Sequence, residues 1–244
     1  YMHKMAEQGL VQKKFELLGQ ISRHDIRNQM VIINGISDVL GMNMDGEQMA
    51  GSLGSIQNAS ERIVRILEFG REYEEIGIRN PEWIDIHRMI SRTSINFNHV
   101  NIWIDPTLEG VYVYADPLIE RVFFNLFDNA VRHGGRTTEI KVLRSNNTEG
   151  LIIAVEDDGF GISLEHKDRL FRYGQGENDG FGLYLCREIL AITGLMIMES
   201  GSQGEGARFE IHVPPGKNEV PMGLEVGAVR AFSTANRTKV NDDR

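Results

Sequence analysis

Leu151-Ile152-Ile153-Ala154-Val155-Glu156-Asp157-Asp158-Gly159-Phe160-Gly161-Ile162 is an apolar run that ends in adjacent carboxylates and a Gly-x-Gly. A short apolar run stopped by a glycine turn reads as a buried strand. It delivers Asp157 at its end, where a carboxylate can accept a hydrogen bond from an exocyclic amine such as that of adenine. Gly159 and Gly161 would let backbone approach a flat base closely, although the same letters suit a plain turn between strand and helix.

Outward from this stretch, β-like runs at 100–104, 111–115, 139–143, 195–200 and 207–213 alternate with helical patterns. Such interleaving indicates an α/β sandwich, a sheet covered on one side by helices. Asp116-Pro117 predicts a helix start, with Asp as N-cap and Pro in the first helical position, and the helix runs to about His133 before Gly134-Gly135. On it Asn125 and Asn129 are spaced i,i+4, with Arg132 three residues further on, so two amide oxygens and a cation share a face. Val122, Phe123, Phe124, Leu126 and Phe127 mark the core side. Neutral amides suit a Mg2+ ion already held by phosphate oxygens; a helix surface with scattered Asn would look the same. Gly180-Phe181-Gly182-Leu183 opens another helix, ending at Gly194, where free amides and the helix dipole favour phosphate. The polar, Gly-rich stretch between Phe171 and Gly180 is expected to form a mobile lid.

Before Asn80-Pro81 the pattern is wholly helical, and proline ends it by lacking an amide donor and by restricting the residue ahead of it. Val11, Phe15, Leu18, Ile33, Ile36 and Leu40 form one stripe, residues 41–46 a turn, and Met49, Leu53, Ile56, Ser60, Ile63 and Leu67 a second seam in four-three steps. This predicts an antiparallel hairpin whose wide apolar face pairs with a second copy, giving a homodimeric four-helix bundle. His24 projects roughly 140° from the stripe at about 100° per residue, toward solvent, and Asn28 shares its face one turn later. The expected organisation is therefore a helical hairpin over 1–79, an α/β sandwich over 80–216, and a flexible polar tail over 217–244.

The net charge of -9 argues against nucleic acid or an anionic membrane as partner. Cys186 is the single cysteine, so no internal disulfide can form and a reducing, cytoplasmic compartment is expected for this fragment. No apolar run approaches the roughly 20 residues that a membrane helix needs, and no signal-peptide pattern opens the sequence; membrane contact is not expected in this fragment, whatever anchor a longer protein carries.

The order of the motifs is more specific than any one of them. His24-Asp25-Ile26-Arg27-Asn28, Asn125-Leu126-Phe127-Asp128-Asn129-Ala130, Asp157 to Gly161, Leu170-Phe171, Gly180-Phe181-Gly182-Leu183-Tyr184-Leu185 and Gly204-Glu205-Gly206-Ala207 follow one another along nearly all of residues 10–215. The series resembles the H, N, G1, F and G2 boxes of a sensor histidine kinase catalytic core, a dimerisation and phosphotransfer hairpin joined to a Bergerat-type ATP-binding sandwich. The resemblance implies that His24 attacks the γ-phosphate of ATP, with Asp25 orienting the ring and accepting its proton. It further implies that Asn129 and Asn125 hold Mg2+, that Arg132 meets phosphate, that Asp157 reads adenine, and that Gly180 and Gly182 bind phosphate through amides. His133, Gly159, Gly161, Phe171 and Leu183 complete the implied ATP site. The phosphoryl group would pass to an aspartate of a response regulator, and Asn28 would position water for dephosphorylating that partner. Its receiver domain is expected to dock near His24, Ile21 and Val31.

Four positions in three motifs depart from the family pattern. Gln29 stands where proline is frequent, Tyr173 and Gly174 replace the usual Phe-x-Arg-Phe continuation beside Arg172, and Asp158 replaces an Asn. Two other functions fit part of the pattern: an ATP-driven conformational clamp of the same nucleotide-binding superfamily, against which the hairpin presenting His24 and Asp25 counts, and a non-catalytic dimeric scaffold, against which intact Asn129, Asp157 and the glycine pairs count.

Overall fold

A computed structural model of the protein describes residues 24–40, 46–173 and 180–218. Val11, Phe15, Leu18 and Ile21, the greater part of the 41–46 turn, the stretch 174–179 and the tail beyond 218 lie outside the described residues. In chain order the elements are α1 (Ile26–Leu40), α2 (Gly46–Glu75), β1 (Glu82–Asp85), α3 (Ile86–Ser94), β2 (Asn101–Ile104) and β3 (Tyr112–Ala115). They continue with α4 (Ile119–His133), β4 (Glu139–Asn147), β5 (Gly150–Asp157), a short α5 (Leu164–Lys167), α6 (Phe181–Ala191), β6 (Met196–Glu199) and β7 (Arg208–Val213). The chain divides into two compact units, one of residues 1–78 with 171–185, the other of residues 79–170 with 186–244.

In the first unit α1 packs on α2 as a hairpin. The face that α2 buries differs from the expected seam. Ala59, Ile66, Phe69 and Tyr73 are buried, whereas Met49, Leu53 and Leu67 are exposed. The reason lies in the aromatics: Phe69 stacks on Tyr73 at 5.6 Å and on Phe181 at 4.9 Å, and Tyr173 and Tyr184 close the group around them. Large rings gain most from burial, so they choose the rotational face of the helix within one chain. Of the four-three row, Met49, Leu53 and Leu67 are left on the surface and Ile56 and Ile63 half-buried.

The second unit is built on a five-stranded sheet in the order β2-β4-β5-β7-β6, parallel between β2 and β4 and antiparallel elsewhere. A separate antiparallel pair joins β1 to β3. Alternation sorts the sheet into two faces. Ile140 and Val142, Leu151, Ile153 and Val155, and Phe209, Ile211 and Val213 are buried, as are Met89 and Ile90 of α3 and Val122, Phe123, Leu126, Phe127 and Ala130 of α4. The opposite face carries paired charges, with Arg208 donating to Glu156 and, at 2.7 Å, to Glu210. The mixed α/β sandwich is thus present, with helices over one side of the sheet.

Two local expectations need correction. Regular helix α4 begins at Ile119, not at Pro117, because the chain first makes a tighter turn: Asp116 accepts from Leu118 N at 2.9 Å through Oδ1 and from Ile119 N at 2.9 Å through its carbonyl. Strand β1 and helix α3 fill a region that carried no element in the sequence reading. Asp85 is the N-cap of α3, accepting from Arg88 N at 3.0 Å, and Ile86, Met89, Ile90 and Thr93 form its buried stripe.

Candidate active site

In the helical unit, His24 and Asp25 form a wide π-type turn that leads into α1. The His24 side chain is 76% exposed, and its Nδ1 lies 3.0 Å from Asp25 Oδ1 and 3.3 Å from Asn28 Nδ2. An ionised carboxylate can only accept, so Nδ1 carries the proton when it bonds Asp25, and the lone pair then resides on Nε2. In that tautomer Nε2 is the nucleophilic nitrogen. Asp25 Oδ2 accepts from the Tyr173 hydroxyl at 2.8 Å. Helix α1 continues through Gln29, which is buried where the family often has proline. Val31 is exposed. Gly180 sits in the turn that opens α6 and Gly182 in its first turn; both are half-buried, as are Leu183 and Phe171, while Arg172 is exposed.

In the sheet unit, Asp157 is the last residue of β5. Its Oδ1 accepts from Gly159 N at 2.9 Å and Ala207 N at 3.2 Å, and its own N–H donates to Ala207 O at 3.0 Å. Among the described residues no donor reaches Oδ2. Burial pushes the Asp157 carboxyl above the ordinary carboxylate range; the Gly159 and Ala207 amides oppose that, and the charges of Asp158 and Glu199 add to it. A partly desolvated carboxylate with one uncommitted oxygen is a strong acceptor for a ligand amine.

Adjacent Asp158 has a different task. Oδ1 accepts from Thr138 N at 2.8 Å and Glu139 N at 3.1 Å, and Oδ2 from Thr138 Oγ1 at 2.6 Å, so the side chain caps the start of β4. Burial raises its pKa, but the hydrogen bonds from Thr138 and Glu139 outweigh this and hold it low. The Asn-to-Asp departure in this motif is accounted for by three donors that favour a charged acceptor.

The two glycines of the loop serve its packing. A side chain at Gly159 would strike Gly134 Cα and O at 2.6 Å, and one at Gly161, whose φ is +68°, would meet Ser202 O at 2.5 Å. The space in their side-chain directions is filled by protein atoms, mostly backbone, so a side chain at either position would displace the loop. Phe160 N donates to Gly134 O at 3.0 Å and Gly204 N to Phe160 O at 2.7 Å, so the loop is clamped between the end of α4 and the 202–207 turn. Arg136, which the sequence reading passed over, reinforces this by lying 5.2 Å over the Phe160 ring and donating to Gly204 O at 3.3 Å.

Asn125 and Asn129 stand half-buried on α4, away from its core-facing stripe. Asn125 Nδ2 points to Cys186 Sγ at 3.8 Å. Arg132 Nε donates to Asp128 Oδ1 at 2.8 Å, and His133 is exposed beside it. Among the described residues no group of three or more His, Cys, Asp or Glu side chains could hold a metal ion. A pair of neutral amides is too weak a ligand set for a bare divalent cation and fits one that arrives with phosphate oxygens. The structure thus gathers Asp157, Gly159 and Gly161 with the end of α4 in one unit, and His24, Asp25 and Asn28 with Phe171, Gly180, Gly182 and Leu183 in the other. No described helix is long and apolar enough to cross a membrane.

Residues 115–217 match the family described as histidine kinase-, DNA gyrase B- and HSP90-like ATPases. The alginate biosynthesis sensor protein KinB of Pseudomonas aeruginosa is 37% identical over 101 residues, 39% of this chain and 17% of that protein. Sensor protein SrrB of Staphylococcus aureus is 24% identical over 229 residues, 85% of this chain and 39% of that protein. The chain therefore spans well under half the length of these two relatives. The solved structure of histidine kinase ThkA in complex with response regulator protein TrrA shares the fold, with a TM-score of 0.63 at 22% identity over 86% of this chain and 66% of that one. Residues 115–217 thus form a domain of the histidine kinase-, DNA gyrase B- and HSP90-like ATPase family, and the chain as a whole is similar to the catalytic core of sensor histidine kinases.

Proposed function

We propose that the protein autophosphorylates on His24 with ATP and passes the phosphoryl group to an aspartate of a response regulator. The observation that carries this reading is the exposed His24 ring whose Nδ1 is held at 3.0 Å by Asp25. The Nε2 lone pair forms a bond to the γ-phosphorus while the bond from phosphorus to the β–γ bridging oxygen breaks, its electron pair leaving with ADP. The Nδ1 proton of the resulting imidazolium passes to Asp25. A phosphoryl group in flight carries its charge on peripheral oxygens, so positioning and charge neutralisation supply most of the acceleration.

Asp157 supplies the acceptor for the adenine amine, and the amides at Gly180 and Gly182 receive phosphate at the opening of α6. Asn125 and Asn129 would hold Mg2+, which supplies neutralisation of the β- and γ-phosphate oxygens when bound. The exposed row of Met49, Leu53 and Leu67 on α2 supports a homodimer, since a second hairpin would cover it. A receiver domain has exposed Val31 near His24 as an apolar contact, and the ThkA–TrrA complex is the precedent for such a partner in this fold.

Incubation of the purified protein with γ-labelled ATP and Mg2+ tests the reading: an acid-labile, base-stable label is expected. ATP hydrolysis without label would favour the conformational clamp, and neither hydrolysis nor label would favour the scaffold. Asn28→Ala is expected to leave labelling within about twofold of wild type while slowing regulator dephosphorylation about tenfold or more, because Asn28 shares the His24 face without being the nucleophile. Equal loss of both activities in a paired assay would contradict that division.

A further inference from the structure

We propose that Tyr173 is a positioning residue for phosphorylation of His24, acting through Asp25. The inference rests on His24 being the acceptor, and deepens it. Asp25 is bonded at both oxygens: Oδ1 faces His24 Nδ1 at 3.0 Å and Oδ2 accepts from the Tyr173 hydroxyl at 2.8 Å. Asp25 belongs to the turn before α1 and Tyr173 stands 148 residues later, so no local backbone geometry brings them together.

The hydroxyl is itself well placed. The Tyr173 ring lies 5.9 Å from Phe69, 5.4 Å from Phe181 and 5.8 Å, edge-on, from Tyr184. A ring held by three aromatic neighbours has little freedom, so its hydroxyl approaches the carboxylate from a fixed direction. A carboxylate with one bonded oxygen can still turn about its terminal torsion, which is broad. With a second, independently anchored donor on the other oxygen, the plane of Asp25 is set. That plane fixes the direction from which Asp25 meets Nδ1, and so the direction in which Nε2 and its lone pair point. The unusual Tyr at this place in the motif thus has a use that Phe could not supply.

The experiment is Tyr173→Phe in the intact chain, which keeps the ring and removes only the hydroxyl. The initial rate of His24 labelling is measured against ATP concentration, and the His24 ring nitrogens are observed by NMR after selective 15N-histidine labelling. A kcat about tenfold lower with KM for ATP unchanged, together with a moved Nδ1 resonance, is expected. A hydroxyl that merely helped packing would leave the Nδ1 resonance in place. Wild-type kcat in the variant overturns the proposal, and so does an unmoved Nδ1 signal. If wild type itself takes no label, the acceptor assignment fails and the proposed role fails with it; the Nδ1 signal then reports only whether the hydrogen bond exists.

Discussion

Asp157→Asn is expected to bind ATP about a hundredfold more weakly than wild type while melting no earlier. The substitution is chosen for what it retains. Asn keeps a carbonyl oxygen to accept from Gly159 N and Ala207 N, the bonds that Oδ1 makes at 2.9 and 3.2 Å, so the loop need not move. Only Oδ2 becomes an amide nitrogen, a donor facing the ligand's donor. Losing a charge-assisted hydrogen bond and leaving two donors opposed is worth about 3 kcal/mol, or roughly a hundredfold in affinity.

The stability arm has a definite sign. Burial raises the Asp157 pKa above 3.8, so the folded chain keeps that proton at pH values where the unfolded chain has released it. Folding stability therefore declines as pH rises from 3.8 through the raised value, and at neutral pH the ionised group is a net cost to the fold. Asn carries no charge and removes that decline. Calorimetry should show the variant melting at or above the wild-type temperature at pH 7, with the difference closing on acidification. Wild-type nucleotide affinity should fall over the same acid window, and that of Asp157→Asn should not. A variant that loses both affinity and stability would make Asp157 a structural residue.

The strand that delivers Asp157 was legible because its apolar run and terminal glycines are local signals, and the buried stripe of α4 was legible because 3.6-residue periodicity is local too. What escaped shows the limit of that kind of signal. Helix α3 is only Ile86–Ser94, too short for its stripe to stand out, although Asp85 followed by apolar residues at 86, 89 and 90 was a usable start signal. The buried face of α2 went to Phe69 and Tyr73 instead of the four-three row, because their partners Phe181 and Tyr184 lie more than a hundred residues away in the chain. The roles of Asp158 and Tyr173 were hidden for the same reason. Each is decided by a partner from another element, the Thr138 amide in one case and Asp25 in the other, and a motif reports spacing along the chain, not neighbours across it.

His24→Gln is expected to take no phosphoryl label while binding ATP and melting as wild type does. The side chain is 76% exposed, and a surface substitution of this kind shifts stability by about 0.5 kcal/mol or less, so unfolding does not compete as an explanation. Loss of label with ATP affinity intact would locate the acceptor; persistent label would move it to another residue. Asp25→Asn then separates the two parts assigned to Asp25. Its oxygen can still receive the Nδ1 proton's hydrogen bond, which preserves ring orientation, but an amide cannot take the proton itself. A fall of about 10²- to 10⁴-fold in labelling rate is the range for removing a positioned base. A fall of only a few fold would mean that the proton leaves to water, which the exposure of the ring permits, and Asp25 would then act by orientation alone. In that case the Tyr173 contact would carry more of the rate than the carboxylate's basicity, and Tyr173→Phe should slow labelling more than Asp25→Asn does.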